Sequence, residues 1–275
     1  MTYETILVVK KGATMIVTLN RPEKLNAMNG QMLGEIDQVL AELRRDTSTR
    51  FVILTGAGRA FTSGADMGPR GAPPADAAQT VSEQQRLLQV AREQDIVQME
   101  AHDRIRSYLN LEQITIAAVN GYCLGAGLVF ATESDFIIAA EDALLGIPET
   151  STGIFYTWGS SARLSRLVGP MWAKYMIMTS ENVTGKQAVS IGLAVQAVPN
   201  DKLMDAAWEL VDKIASRGPL AIRLTKKLVN AYTATGRGDL YVVEPELVGH
   251  LYVSGDPEEG GRAFREKRPP KFSGT

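Results

Sequence analysis

Cysteine and histidine are scarce in this sequence of 275 residues, which contains one cysteine and two histidines. The single cysteine, Cys123, excludes an internal disulfide and is typical of a reducing compartment. His102 and His250 each fall in a segment with a helical pattern, where surface or packing roles are the commonest for histidine. A histidine-based triad or a histidine and cysteine metal site therefore has few possible members, and we expect no metal.

Long apolar runs and a strong charge of either sign are also lacking. No span of 18 apolar residues occurs, and the N-terminus has no charged segment followed by an apolar run. We therefore expect a cytoplasmic protein that does not bind a membrane. The formal net charge of −2 gives no basic field for nucleic acid. Only residues 262–271 are locally basic, which fits either a phosphate contact or a solvated chain end.

Apolar residues, by contrast, make up 45% of the chain, enough for a large core without disulfides or metal. Runs of β-branched and apolar residues predict strands at 5–9, 15–19, 51–55, 114–119 and 135–140. Helical spacing predicts helices at 30–45, 80–109, 159–167, 170–179, 185–191, 201–216, 218–235 and 239–253. Residues 69–79 read as a loop. The fold class predicted is α/β, with a core up to about residue 200 and a helical region after it.

A glycine-bearing stretch at 120–129 connects the predicted strand 114–119 to an apolar helix start. Glycines at 121, 125 and 127 allow a tight turn and leave backbone N–H groups uncovered where the helix begins. Such a place can bind an anion, or a carbonyl oxygen that becomes an anion during reaction. Glycine clusters are weak motifs, so for this stretch alone a purely structural turn is the favoured interpretation.

A second glycine-bearing turn, at 63–66, also follows an apolar segment. If the two turns meet in space, their N–H groups can hold one thioester oxygen, which acidifies the neighbouring α-carbon because the enolate charge falls on that oxygen. Such a site needs an acid or base. Glu149 is the leading candidate because it follows Ile147 and Pro148 in a stretch apolar enough to raise its pKa. A solvated loop glutamate is the alternative.

Taken together, these segments resemble the crotonase superfamily, the enoyl-CoA hydratases and isomerases. The matching motifs run in order along nearly the whole chain: NRPEKLNA at 20–27, GRAFTSGADM at 58–67, IAAVNGYCLGAG at 116–127, DFIIAA at 135–140, GIPE at 146–149, TGKQA at 184–188, IGLA at 191–194 and AFREKR at 263–268. The resemblance implies a spiral of ββα units with two roughly perpendicular sheets. It implies a core domain at 1–200 that binds acyl-CoA and a helical region at 201–275 that builds a homotrimer or homohexamer.

The resemblance also assigns roles to residues by position. It places the two oxyanion-hole N–H groups on Ala65 and Ala126, with Glu149 as general acid and base. It implies that coenzyme A, as part of the substrate and not as a separate cofactor, contacts a set of residues that includes Ala65: Lys24, Leu25, Ser63, Asp66, Met67, Gly68, Phe264 and Lys267. The last two approach the coenzyme A of a subunit, often the neighbour's, in similar proteins.

Three departures from the family pattern concern the acyl pocket. The typical hydratase has two glutamates that hold one water, and the first of these positions is Val129 here, which can neither ionise nor accept a hydrogen bond. The usual glycine-rich segment after the base is replaced by aromatic and hydroxyl residues at 155–161. Among them, Tyr156 and Trp158 reshape the pocket, and Tyr156 either handles a proton or simply packs. The segment between Ala65 and Asn120 is longer than usual and fits a lid over the acyl end.

We therefore expect an enzyme that stabilises a thioester enolate and either hydrates an enoyl-CoA or shifts its double bond. Alternatives within the superfamily are a CoA-thioester hydrolase, a dehalogenase and a hydratase-lyase. A non-catalytic binding protein, which the loss of the first glutamate favours, is an alternative of a different class.

Overall fold

The computed structural model describes residues 3–66, 83–233 and 255–271. The strands of these residues are β1 (Ile6–Lys11), β2 (Thr14–Leu19), β3 (Phe51–Gly56), β4 (Ala60–Thr62), β5 (Ile114–Val119), β6 (Tyr122–Leu124), β7 (Phe136–Ala140), β8 (Leu144–Gly146), β9 (Val183–Thr184) and β10 (Gln196–Val198). The helices are α1 (Gly30–Leu43), α2 (Glu83–Leu109), α3 (Ala126–Glu133), α4 (Ser160–Thr179), α5 (Gly185–Ser190), α6 (Leu203–Ala215), α7 (Pro219–Thr233) and α8 (Asp256–Glu266).

The strands form two sheets whose order shows a repeating unit. One sheet has the order β1-β2-β3-β5-β7-β10 and the other has the order β4-β6-β8-β9. The chain alternates between them, because β3, β5 and β7 lie in the first sheet and the short strand after each lies in the second. A helix follows both β4 and β6, and a 3-10 turn and then α4 follow β8. The prediction of an α/β spiral of ββα units is confirmed.

Apolar residues cover both faces of the central strands, as expected for a mainly parallel sheet. Leu54 and Ala117 belong to the core beneath α1, whereas Ile53 and Ile116 on the opposite face pack with the apolar side of α6. The helix α6 thus covers the sheet of the core, while the role of residues 201–275 in oligomerisation stays a prediction. None of the described helices is both long enough and apolar enough to cross a membrane.

The C-terminal part differs most from the sequence prediction. The helix α8 was not predicted, since its sequence contains two glycines and few apolar residues. Two arginines of the basic segment form ion pairs with Glu259, Arg262 at 2.8 Å and Arg268 at 2.6 Å, and the Arg262 side chain is still 54% exposed. The phosphate contact and the solvated chain end both stay predictions. The predicted loop 69–79 and helix 239–253 lie outside the described residues, as does His250. The predicted pair 159–167 and 170–179 is α4, which breaks at Gly169 (φ 78°).

Candidate active site

The turn at 63–66 is held by backbone hydrogen bonds to a neighbouring segment. The N–H of Met28 donates to the carbonyl of Gly64 at 2.8 Å, and the N–H of Asp66 donates to the carbonyl of Met28 at 2.9 Å. These two bonds form a parallel bridge between Met28 and Ala65. In this bridge Met28 uses both its N–H and its carbonyl, and the residue opposite it, Ala65, makes neither bond, so its own backbone groups face the other side of its segment. The N–H of Ala65 is therefore directed away from Met28.

The turn between β6 and α3 brings a second N–H to the same place. Gly125 adopts a left-handed φ of 50°, which favours glycine, and its N–H donates to the carbonyl of Gly146 at 3.0 Å. Ala126 is the first residue of α3, so its N–H has no partner within the helix. A Cβ built on Gly64 would lie 3.8 Å from the nitrogen of Ala126. The two turns, which are far apart in sequence, therefore meet in space.

Neither of these N–H groups is used within the described part of the chain. No hydrogen bond there has the N–H of Ala65 or of Ala126 as its donor. Both residues line one cavity of about 460 Å³. Two fixed N–H donors that face one space can hold a single oxygen atom, and they do so more strongly when that oxygen is an anion.

Glu149 lies beside these donors. It is the first residue of a 3-10 turn, Glu149–Thr152, and it follows β8 through Ile147 and Pro148. A Cβ on Gly125 would lie 2.6 Å from Oε1 of Glu149, so this carboxyl lies against the residue that precedes Ala126. Burial raises the pKa of Glu149 to about 7. A carboxyl with this pKa holds and releases a proton readily near neutral pH, as an acid and base catalyst requires.

Most of the residues predicted for the site line this cavity. They include residues predicted to hold the thioester oxygen, to contact coenzyme A, to act as acid and base, and to shape the acyl pocket. These residues are Leu25, Ser63, Ala65, Ala126, Val129, Glu149, Tyr156, Trp158 and Phe264. A cavity of about 560 Å³ at the opposite, N-terminal ends of β3 and β5 contains none of them. Among the described residues, no cluster of acidic, histidine or cysteine side chains could hold a metal ion.

Three of the described residues assigned to coenzyme A are not part of the cavity lining. Lys24 belongs to a 3-10 turn on the surface, Asp66 forms an ion pair with Arg21 at 2.8 Å, and Lys267 is exposed just after α8. Met67 and Gly68 lie outside the described residues. Their contacts with coenzyme A stay predictions.

Val129 and Tyr156 form the most deeply buried part of the cavity lining. Each of these two residues is only 2% exposed. The hydroxyl of Tyr156 is buried and forms no hydrogen bond shorter than 3.5 Å. Burial, together with the nearby charge of Glu149, raises the pKa of Tyr156 well above its ordinary value, against a smaller opposite effect of the neighbouring Thr132 hydroxyl. The hydroxyl therefore keeps its proton at neutral pH. Trp158 adopts a left-handed φ of 62°, which turns the backbone back toward α4.

Gln98 of α2 was missed by the sequence analysis. It is 7% exposed and lines the cavity, although its neighbours in the chain, Val97 and Met99, are exposed. A signal was present, because Gln98 precedes the buried residues Ala101, His102 and Ile105 by three, four and seven positions. That spacing places a glutamine on the buried side of the helix.

The helix α8 was also missed, and it places Phe264 at the cavity. A Cβ on Gly260 would lie 1.9 Å from the carbonyl oxygen of Thr152, so the backbone of α8 packs directly on the 3-10 turn that begins at Glu149. Phe264 lies one turn further along α8 and is 64% exposed. The side chain therefore lies at the mouth of the cavity.

Comparison with known proteins gives a consistent result. A model of the family described as enoyl-CoA hydratase/isomerase matches residues 10–275. The short-chain-enoyl-CoA hydratase of Clostridium acetobutylicum is 35% identical over 270 residues, which cover 98% of this chain and 97% of that protein. The 2,3-dehydroadipyl-CoA hydratase of Escherichia coli is 32% identical over 269 residues, 98% of each chain.

A solved structure matches this chain over nearly its whole length as well. The crystal structure of an enoyl-CoA hydratase from Mycobacterium avium subsp. paratuberculosis has a TM-score of 0.85 and 25% identity, and the match covers 99% of this chain and 100% of that one. Matches of this extent, together with the ββα spiral, establish the family. This chain belongs to the enoyl-CoA hydratase/isomerase family of the crotonase superfamily and is an enzyme of that family.

Proposed function

We propose that this enzyme hydrates the double bond of a 2-enoyl-CoA thioester, with Glu149 as its only acid and base. The observation that carries this proposal is the position of the Glu149 carboxyl against Gly125, next to the uncovered N–H of Ala126. Two relatives support it, the short-chain-enoyl-CoA hydratase and a crotonyl-CoA hydratase of Syntrophomonas wolfei that is 33% identical over 280 residues. The substrate supplies coenzyme A, and no further cofactor is needed.

The N–H groups of Ala65 and Ala126 hold the thioester oxygen. When a nucleophile adds to the β-carbon, the electron pair of the double bond moves toward the carbonyl and leaves a negative charge on that oxygen. The two donors interact more strongly with the anion than with the neutral carbonyl, which lowers the barrier. They are fixed by the sheet and the helix start, so little reorganisation is needed when the charge forms.

Glu149 moves the proton. As a carboxylate it takes a proton from water while the water oxygen bonds to the β-carbon, and the thioester enolate forms. The same carboxyl then returns the proton to the α-carbon, so that one water molecule has been added in total. A pKa of about 7 allows both transfers, because neither protonation state is strongly favoured near neutral pH.

A double-bond shift is the second candidate, and Val129 favours it. Among the described residues that line the cavity, Glu149 is the only carboxylate. Isomerisation needs only one carboxyl, which removes a proton from the α-carbon of a 3-enoyl-CoA and returns it to the γ-carbon. No water has to be activated, so the absence of a second glutamate has no cost for this reaction.

A labelling experiment separates these reactions. The enzyme is incubated with 2-enoyl- and 3-enoyl-CoA of several chain lengths in ¹⁸O-labelled water, and the products are analysed by mass spectrometry. Hydration adds one labelled water, isomerisation leaves the mass unchanged and moves the double bond, and hydrolysis releases free coenzyme A. Binding of these thioesters without any turnover would favour the non-catalytic alternative and overturn the proposal. The homotrimer or homohexamer and the cytoplasmic location stay predictions.

A further inference from the structure

Three buried polar atoms without hydrogen-bond partners belong to residues that line the catalytic cavity. They are Oε1 of Gln98, Oε2 of Glu149 and the hydroxyl of Tyr156, and within the described ranges only one other buried side-chain atom, Oε1 of Gln113, lacks a partner. A buried polar atom that loses its hydrogen bonds to water and gains no other partner lowers the stability of the folded chain, and most buried polar atoms in proteins are paired. Three of them around one cavity indicate that the ligand supplies the missing partners.

The proposed reaction uses only one of the three. Glu149 receives a partner from the reacting water or from the proton that it transfers. Gln98 and Tyr156 have no part in that chemistry, and at 7% and 2% exposure they are not solvated surface groups. A glutamine amide and a phenol hydroxyl can each donate and accept hydrogen bonds. Both therefore suit a neutral polar group.

The charges of the described cavity lining disfavour a charged group. Of the described residues that line it, none is lysine, arginine or histidine, and Glu149 is the one acid. A second carboxylate on the substrate would enter this space without a cation and with another carboxylate nearby, which is unfavourable for a buried ion. A hydroxyl or a ketone meets neither obstacle.

We propose that the acyl group of the substrate carries a hydroxyl, which donates to Oε1 of Gln98 and accepts from the hydroxyl of Tyr156. A ketone oxygen accepts only, so it could pair with Tyr156 but not with Oε1 of Gln98. This inference rests on the proposed function and names its substrate class. A purely alkyl chain would leave both polar groups buried and unpaired. Sites built to pair a substrate hydroxyl can reject the analogue that lacks it by large factors for this reason.

The test compares 2-enoyl-CoA substrates of equal chain length. One has an alkyl chain, a series carries a hydroxyl or ketone at each carbon beyond the β-carbon, and one ends in a carboxylate. For the best-placed hydroxyl we expect kcat/KM about a hundredfold above that of the alkyl substrate, with the ketone at the same carbon below the hydroxyl. In Gln98→Met, which keeps the length and helix propensity of the side chain, the ratio should fall to less than about threefold. Gln89→Met is the matched control, since Gln89 is an exposed residue of the same helix that pairs with Glu93.

Tyr156→Phe gives a second measurement, with the ratio expected to fall about tenfold. Equal or faster turnover of the alkyl substrate by the unmodified enzyme would overturn the proposal, as would fastest turnover of the carboxylate. If none of the substrates is turned over, the proposed function fails, but the inference is still tested by the dissociation constants of the matching saturated acyl-CoA thioesters. Tighter binding of the oxygenated thioester, lost in Gln98→Met, would support it, and equal binding would refute it.

Discussion

The two walls of the catalytic cavity are built in different ways. One wall, here called the backbone wall, consists of the 63–66 turn, the Gly125–Ala126 turn and Glu149. These follow three strands of the four-stranded sheet, β4, β6 and β8 in that order. The other, here called the side-chain wall, consists of Gln98 from α2, the segment 154–158 and Phe264 from α8. The first presents N–H groups and one carboxyl, whereas the second presents amide, hydroxyl and aromatic groups.

This difference separates the reaction from the choice of substrate. The groups of the backbone wall are positioned by hydrogen bonds of the main chain, such as those from Gly125 to Gly146 and from Asp66 to Met28. Main-chain donors do not depend on side-chain identity, so the proposed oxyanion-hole role is compatible with Ala126 at a position where the family pattern has glycine. The side-chain wall depends on every residue, and it can change the accepted acyl group without disturbing the enolate site.

The largest expected effect concerns the one acid and base of the backbone wall. Glu149→Gln keeps the shape of the side chain but cannot transfer a proton, so kcat should fall by at least about a hundredfold. The measurement is steady-state kinetics with the best 2-enoyl-CoA substrate. Glu141→Gln is the control, because Glu141 is a partly exposed carboxylate that pairs with Lys186 and does not line the cavity. Turnover of Glu149→Gln close to that of the unmodified enzyme would show that another group moves the proton.

The pH dependence of activity follows from the same residue. Hydration requires the Glu149 carboxylate, so kcat/KM should rise with pH and reach half of its upper plateau near pH 7, the value to which burial raises this pKa. A plateau that already extends down to about pH 5 would mean that the carboxyl is ionised well below neutrality. In that case burial would not set its proton affinity.

Stability should change in the opposite direction. The pKa of Glu149 is about 7 in the folded chain against an ordinary 4.5, so between these values the unfolded chain releases a proton that the folded chain keeps. The free energy of unfolding therefore falls as pH rises through this window, by about 3 kcal/mol. Urea unfolding at both ends of the window measures it, and the same experiment with Glu149→Gln should lack this contribution.

The two walls also differ in how far the sequence predicts them. Ala65, Ala126 and Glu149 fall in stretches that sequence reasoning picks out, because tight turns that expose N–H groups require glycine and a buried carboxyl requires apolar neighbours. Gln98 was missed, because its spacing from Ala101, His102 and Ile105 places it on the buried side of α2 but does not show that this side meets the cavity. The helix α8 was missed because its stability comes from contact with the 3-10 turn of Glu149, which local propensity does not contain.

A smaller effect is expected where the two walls touch, at Gly260. In Gly260→Ala the new Cβ would lie 1.9 Å from the carbonyl oxygen of Thr152, a backbone atom, so α8 has to move and takes Phe264 with it. We expect the free energy of unfolding to fall by about 1–3 kcal/mol and KM to rise several-fold, with a smaller change in kcat. Urea unfolding and substrate titrations measure these effects.

The neighbouring glycine provides the control for this prediction. A Cβ on Gly261 would lie 3.4 Å from Nη1 of Arg265, the mobile end of an exposed side chain. Alanine should therefore fit there, and it should stabilise the chain slightly because alanine is the better helix former. If both variants behave alike, the close contact between α8 and the 3-10 turn does not determine the position of Phe264.

The smallest expected effect is at Lys267, where the resemblance implies a phosphate contact and this chain shows an exposed side chain outside the cavity lining. In Lys267→Ala we expect KM to rise by less than about threefold at low salt and not at all at about 0.5 M salt, because exposed charges are strongly screened. Lys186→Ala, which removes a surface lysine elsewhere, is the control. A tenfold rise in KM that persists at high salt would instead mean a desolvated contact with coenzyme A. Since Lys267 lies outside the cavity lining of its own chain, such a contact would point to the cavity of a neighbouring subunit. The side-chain wall would then have a member from a second copy of the chain, and its affinity for substrate would fall on dilution of the protein.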